Sequence, residues 1–173
     1  QFDLKFFLDQ NTGNQYEYNN FGMYFSYSLS NIQLMCDMFD KAIILNKNYG
    51  YTWDAYAYGL YRYGMYYLSN EKYLQSKKLN YNNNGVLELG LGMNYYLLQD
   101  FINSLKWWIN AHKINTKEAD TLSLLIVCNL KLNKFNDAKI HLDKYKSLYP
   151  SSKQYNFMKS YYDLKLIGIT NNC

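Results

Sequence analysis

Proline is almost missing from this chain, with Pro150 the one example in 173 residues. That excludes polyproline and collagen-like material. Cysteine is scarce too. Cys36, Cys128 and Cys173 cannot all pair and are too few for a disulfide scaffold. Cys36 and Cys128 lie in apolar helical patterns and read as buried small hydrophobes, while Cys173 is terminal. Arg62 is the single arginine. Nucleic-acid readers rely on clustered arginine, so the net charge of +4 reads as a solvated surface and not as a nucleic-acid interface. The two histidines, His112 and His141, show no metal-ligand spacing and are expected to sit solvated on outer helix faces. A transmembrane helix needs about 20 apolar residues. The longest apolar run, Leu122 to Leu130, is broken by Ser123 and Asn129.

Aromatic side chains are plentiful. Of all residues 49% are hydrophobic and 19% aromatic, including 21 Tyr, which excludes a disordered tail. The length fits one domain, or one plus a short appendage. The chain reads as a soluble, well-packed globular domain. Its first residue is Gln1, which implies a processed or truncated product whose preceding segment would decide the compartment. Catalytic motifs are not visible. Gly85-x-x-x-x-Gly90-x-Gly92 lacks the following Lys of a phosphate loop. Neither His stands at a motif spacing from a Ser or Cys nucleophile. Asp37 with Asp40, and Asp137 with Asp143, read as helix-surface carboxylates. The expectation is a protein that is not an enzyme and carries no cofactor or metal.

The C-terminal half contains a pattern that recurs. Ala119, Leu122, Leu125-Ile126, Phe135, Ala138, Leu142, Tyr145 and Pro150 are one copy. Stepping back by 34, then 35, then 34 residues carries Leu142 to Trp108, Tyr73 and Phe39, and Tyr145 to Ala111, Ser76 and Ala42, while the first two steps carry Ala138 to Ser104 and Ser69. Trp53 and Ala57 stand where a bulky and a small residue are expected. The extra residue of the longer step falls in Tyr81-Asn82-Asn83-Asn84-Gly85, a turn-forming cluster. These residues resemble the tetratricopeptide repeat. The resemblance covers four copies, 16–49, 50–84, 85–118 and 119–152. It is degenerate in places: Asn19 and Glu88 stand at the bulky position, Met23 at a small one and Tyr145 at another.

The resemblance implies an all-α fold, a right-handed α-solenoid of antiparallel helix pairs. One such pair cannot bury both its apolar faces, so neighbours must stack into a continuous core. Ala57, Gly92, Ser69, Ser104 and Ala138 are expected where paired helices approach closely. Residues 153–173 read as a capping helix and tail, with Tyr155, Met158, Tyr162 and Leu166 on the packed face and a polar outer side. Residues 1–15 read either as the second helix of an incomplete repeat or as an apolar arm.

In this family the first helices line a concave groove that takes a peptide or partner segment. Carried over residue by residue, the resemblance places Tyr24, Tyr27, Tyr58, Tyr61, Arg62, Leu89, Met93, Tyr96, Val127 and Lys131 on that groove, together with positions such as Ser123 and Leu130. The paired Lys, Arg and Asn with which chaperone-binding members hold a terminal carboxylate are replaced here by Tyr and aliphatic residues. The expected ligand is therefore another protein, bound as an extended segment or a helix through apolar burial, and no small-molecule substrate is expected. The alternative is a structural subunit embedded in a larger complex. Phe135 through Ser152 is also similar to arrays in bacterial outer-membrane assembly lipoproteins, which favours a periplasmic or membrane-associated setting over the cytoplasm. Membrane contact is expected only through Phe2, Phe6 and Phe7.

Overall fold

The computed structural model describes residues 13–81, 83–115 and 119–170. Residues 1–12 of the expected arm or half repeat 1–15, and the terminal Cys173, lie outside them. Among the described residues all regular structure is helical: α1 (Gln15–Ser28), α2 (Ile32–Leu45), α3 (Gly50–Arg62), α4 (Tyr66–Lys78), α5 (Val86–Leu97), α6 (Phe101–Ile114), α7 (Ala119–Lys131), α8 (Phe135–Leu148) and α9 (Lys153–Thr170). Polar residues start several of them. The Asn14 carboxamide accepts the Tyr16 and Glu17 amides, and the Glu17 carboxylate accepts the Asn14 amide at 2.8 Å, a reciprocal cap. Asn31 and Asp100 cap α2 and α6 in the simpler way.

The chain divides into two compact units between positions 82 and 83, within the sequence cluster that absorbs the longer repeat step. In the first unit α1 pairs with α2 and α3 with α4, and α3 packs on both helices of the preceding pair. Its core holds Tyr18, Phe25, Met35, Met38, Phe39, Tyr56 and Leu60, with Phe39 stacked on Tyr56 at 5.0 Å. In the second unit α5 pairs with α6 and α7 with α8, α7 packs on α6, and α9 covers α8 and α7. Leu122, Ile126, Leu130, Leu142 and Tyr145 close under Tyr155 and Met158 of α9, while Trp108 and Leu105 meet Leu125 and Cys128.

Small residues set the helix spacing. A methyl group at Gly92 would fall inside the buried Trp108 indole. Ser69 Oγ donates to the Ala57 carbonyl at 2.7 Å, and Ser104 Oγ donates to the Gly92 carbonyl at 2.9 Å. Ser76 Oγ bonds the Gly50 carbonyl at 2.8 Å at the other end of the same helix pair. A buried hydroxyl is tolerated at these contacts because a carbonyl of the facing helix satisfies it.

The turn inside each helix pair carries one residue in the left-handed region: Leu29, Gly64, Gln99 and Asn133. Phe39 follows Leu29 by ten residues, whereas Tyr73, Trp108 and Leu142 follow their turn residues by nine. The first turn therefore contains one extra residue, and α1 sits one position earlier than the repeat pattern places it. Gly22, not Met23, meets the Phe39 ring, and Tyr18, not Asn19, fills the bulky position at 2% exposure. The apparent degeneracy of the first repeat is this shift.

The C-terminal helix differs from expectation at one point. Tyr155 and Met158 are buried, but Leu166 is 42% exposed. At 18 residues α9 is longer than α7, which has 13, so its last turns overrun the helices it packs on. The side that would face a further paired helix is polar, with Lys159 bridging Asp163 at 2.5 Å.

Candidate interaction surface

Helices α1 and α3 bring four of the residues assigned from the repeat pattern into one patch of the first unit. Tyr27 and Tyr58 lie with ring centroids 5.8 Å apart, Tyr58 and Tyr61 at 6.2 Å, and Tyr61 reaches Tyr66 of α4 at 6.1 Å. The Arg62 guanidinium stands 5.7 Å from the Tyr27 ring and 6.0 Å from the Tyr58 ring, and it donates to the Tyr58 hydroxyl at 3.3 Å. One turn of helix separates Tyr58 from Arg62, so both project from the same side of α3. The Tyr63 hydroxyl donates to the Phe25 carbonyl at 3.1 Å and holds the end of α3 against α1. Tyr27 is 58% exposed, while Tyr58, Tyr61 and Arg62 are half-buried. Among the described residues no carboxylate pairs with Arg62. The patch is a wall of phenol rings around a cation that no described carboxylate compensates.

Tyr24 lies apart from this patch. Its ring packs edge-on against Phe25 of its own helix, and the one-residue shift of α1 moves it off the line that carries Tyr27. A second tyrosine row lies toward the opposite ends of α1 and α3. Tyr16, Tyr49, Tyr51 and Tyr81 follow one another at 6.0, 5.9 and 6.2 Å. Burial, and then the neighbouring Tyr49 and Asp54, push the Tyr51 hydroxyl above the ordinary tyrosine range.

In the second unit Leu89, Met93 and Tyr96 of α5 pack half-buried against the Trp108 cluster. The Tyr96 ring lies 5.3 Å from Phe101 and 5.5 Å from Trp108, and burial raises its pKa. Val127 is half-buried, and Lys131 extends its ammonium group to 6.0 Å from the Phe101 ring. Leu130 does not face outward: it is fully buried in the core of α7, α8 and α9.

The repeat pattern also points to residues that were not assigned from it. One further step of 34 carries Ser123, Val127 and Leu130 to Phe157, Tyr161 and Leu164 on α9. Phe157 and Leu164 are 72% and 68% exposed, and Lys165 places its ammonium group 5.9 Å from the Tyr161 ring. Gln154 Nε2 donates to Ser123 Oγ at 3.0 Å and ties this face of α9 to α7.

The histidines are not isolated on solvated faces. His112 of α6 and His141 of α8 face each other at 6.3 Å, and Lys144 Nζ lies 2.9 Å from His112 Nε2. His112 Nδ1 is buried without a hydrogen-bond partner. Desolvation, followed by Lys144 and His141, lowers the His112 pKa. Desolvation and Lys144 lower that of His141, against the opposing effect of Asp137. Among the described residues no group of three or more His, Cys, Asp or Glu is placed to hold a metal ion, and no helix is long and apolar enough to cross a membrane.

No protein-family model matches the chain, and no curated protein sequence does. Solved structures do. YrrB, a TPR protein with an unusual peptide-binding site, superposes with a TM-score of 0.67 at 16% identity, over 84% of this chain and 76% of that one. A chain of the Cut9–Hcn1 hetero-tetramer of the APC/C gives a TM-score of 0.71 at 13% identity, over 87% of this chain and 30% of that one. Pseudomonas aeruginosa PilF gives 0.68 at 13% identity, over 85% and 82%.

Proposed function

From the tetratricopeptide-repeat fold that this chain adopts, we propose that it is a non-enzymatic protein-interaction module and that the α1–α3 tyrosine face holds a segment of a partner protein. The observation that carries this reading is Arg62 among Tyr27, Tyr58 and Tyr61: a cation with no acid partner among the described residues, framed by rings that offer large apolar area. Tyrosine loses little side-chain entropy on binding and keeps a hydroxyl for orientation. Arg62 selects a carboxylate. The complementary segment carries an acidic residue next to an apolar or aromatic one. The half-buried Leu89, Met93, Tyr96 and Val127, with Lys131, offer a separate surface of the same kind on the second unit, and Tyr24 contributes least to the first. YrrB, a TPR protein with an unusual peptide-binding site, supports the reading by analogy of fold.

The test is co-purification from the native source with the wild-type chain and with Tyr58→Ala/Tyr61→Ala, followed by calorimetry with the identified segment. The double variant is expected to lose the partner while its helical circular dichroism is unchanged, and Arg62→Gln is expected to weaken acidic segments selectively. Retention of the partner by the double variant refutes this assignment of the site.

A second reading, a subunit embedded in a larger assembly, is favoured by the apolar residues that α9 leaves exposed, Phe157, Leu164, Leu166 and Ile167. Such a subunit aggregates when isolated, and a monodisperse monomer in size-exclusion chromatography counts against it. The similarity of residues 135–152 to outer-membrane assembly lipoproteins supports a periplasmic or membrane-associated setting, which fractionation of native cells tests.

A further inference from the structure

A trough in the second unit runs along α6 opposite the turn between α7 and α8. Its floor and walls are Ile102, Leu105, Ile109 and Leu132, and it encloses a concavity of about 300 Å³. Lys106, Lys113 and Lys134 stand around it, and among the described residues no carboxylate lines it. Ile102 is 73% exposed and Ile109 38% exposed, so the core does not use them. Among the described residues none of the three lysines takes part in an ion pair. The Asp100 carboxylate, at the start of α6, is engaged by the Asn103 amide and carboxamide. From Ile102 to Lys113 is 11 residues of helix, a linear trough of roughly 16 Å at 1.5 Å per residue.

We infer that this trough docks an acidic amphipathic helix of a partner protein. A concave apolar floor admits the ridge of leucine-type side chains that a helix presents at i, i+4 and i+7. Three unpaired ammonium groups at the rim meet Glu or Asp on the flanks of that ridge and repel a basic ligand, so charge selects the partner and burial supplies the contact. A flat anionic membrane would meet the lysines but leave the recessed Leu105 and Leu132 uncontacted. The inference uses no residue of the tyrosine face, so either can fail without the other.

The probe is a lactam-stapled helical peptide with a Leu ridge flanked by Glu, set against the same peptide with Lys in place of every Glu. Both are titrated by fluorescence anisotropy into the full chain at low salt. Saturable binding of the acidic peptide is expected, with about tenfold weaker binding of the basic one and a loss of about tenfold in Lys106→Glu/Lys113→Glu. Ile102→Ala/Ile109→Ala weakens binding without changing its salt dependence, and Tyr58→Ala/Tyr61→Ala leaves it as it is. Ile102, Lys106, Ile109 and Lys113 are all exposed, and each variant is accepted only if its thermal midpoint matches the wild type. Equal affinity for the two peptides, no saturable binding, or indifference to the charge reversal overturns the inference. Co-sedimentation with phosphatidylserine vesicles that disappears in Lys106→Glu/Lys113→Glu, without peptide binding, overturns it in favour of a membrane surface.

Discussion

Gly92→Ala is the sharpest perturbation of the packing. The added methyl would lie far inside 3.0 Å of Trp108 Cδ1 and Nε1, and Trp108 is fully buried and donates to the Leu89 carbonyl at 3.3 Å. The indole cannot yield without losing that bond and its stacking on Tyr96. Overpacking of this kind costs about 1–3 kcal/mol, and a rigid buried ring places it near 3 kcal/mol. Alanine regains about 1 kcal/mol of helix propensity over glycine. The net loss is about 2 kcal/mol, which lowers the midpoint of a chain this long by about 4–8 °C. Thermal and urea denaturation followed at 222 nm measures it. Trp108→Leu supplies the control: in that background the methyl has room, and Gly92→Ala becomes neutral or stabilising. A Gly92→Ala variant as stable as wild type, or an equal cost in both backgrounds, refutes the claim that this glycine sets the α5–α6 distance.

Three further outcomes follow from the same geometry. Ser76→Ala removes the buried bond to the Gly50 carbonyl and is expected to cost about 1 kcal/mol by urea titration, with Ser76→Val costing more because the larger side chain meets the same backbone. Gln99→Gly relieves a left-handed residue at an exposed turn and is expected to stabilise by about 1 kcal/mol, seen as a higher urea midpoint at unchanged slope. The His112–His141 pair makes stability depend on pH. Both folded pKa values lie below the unfolded value of about 6.5, so the unfolded chain binds more protons as pH falls. The stabilisation is therefore complete above about pH 6.5 and is lost as pH drops from there through the folded values. His112→Gln/His141→Gln should flatten that part of the urea-midpoint profile, and an unchanged profile would rule out the pair as its source.

The repeat was legible because its strongest constraints are steric. A glycine beneath a tryptophan, or a serine beneath a neighbouring carbonyl, admits few substitutes, so Gly92, Trp108, Ser69 and Ser104 stand out at a fixed period without any coordinates. The shift of α1 was not legible. One extra residue in a turn leaves the helical period on both sides intact, and Asn19 and Met23 are plausible neighbours of Tyr18 and Gly22 on the same helix.

Tyrosine marks the other limit. Tyr18 and Tyr145 are 2% exposed, whereas Tyr67 is 73% exposed. A phenol ring is apolar over its body and polar at its tip, so hydropathy cannot say which tyrosines line a surface and which fill the core. The pairing of His112 with His141, 29 residues apart in sequence, likewise arises only when α6 and α8 fold alongside each other. Fold class and helix pairing follow from local period and residue size, both of which are written along the chain. The tyrosine patch around Arg62 and the lysine-rimmed trough depend on which faces remain uncovered after packing, and that is a property of neighbours distant in sequence.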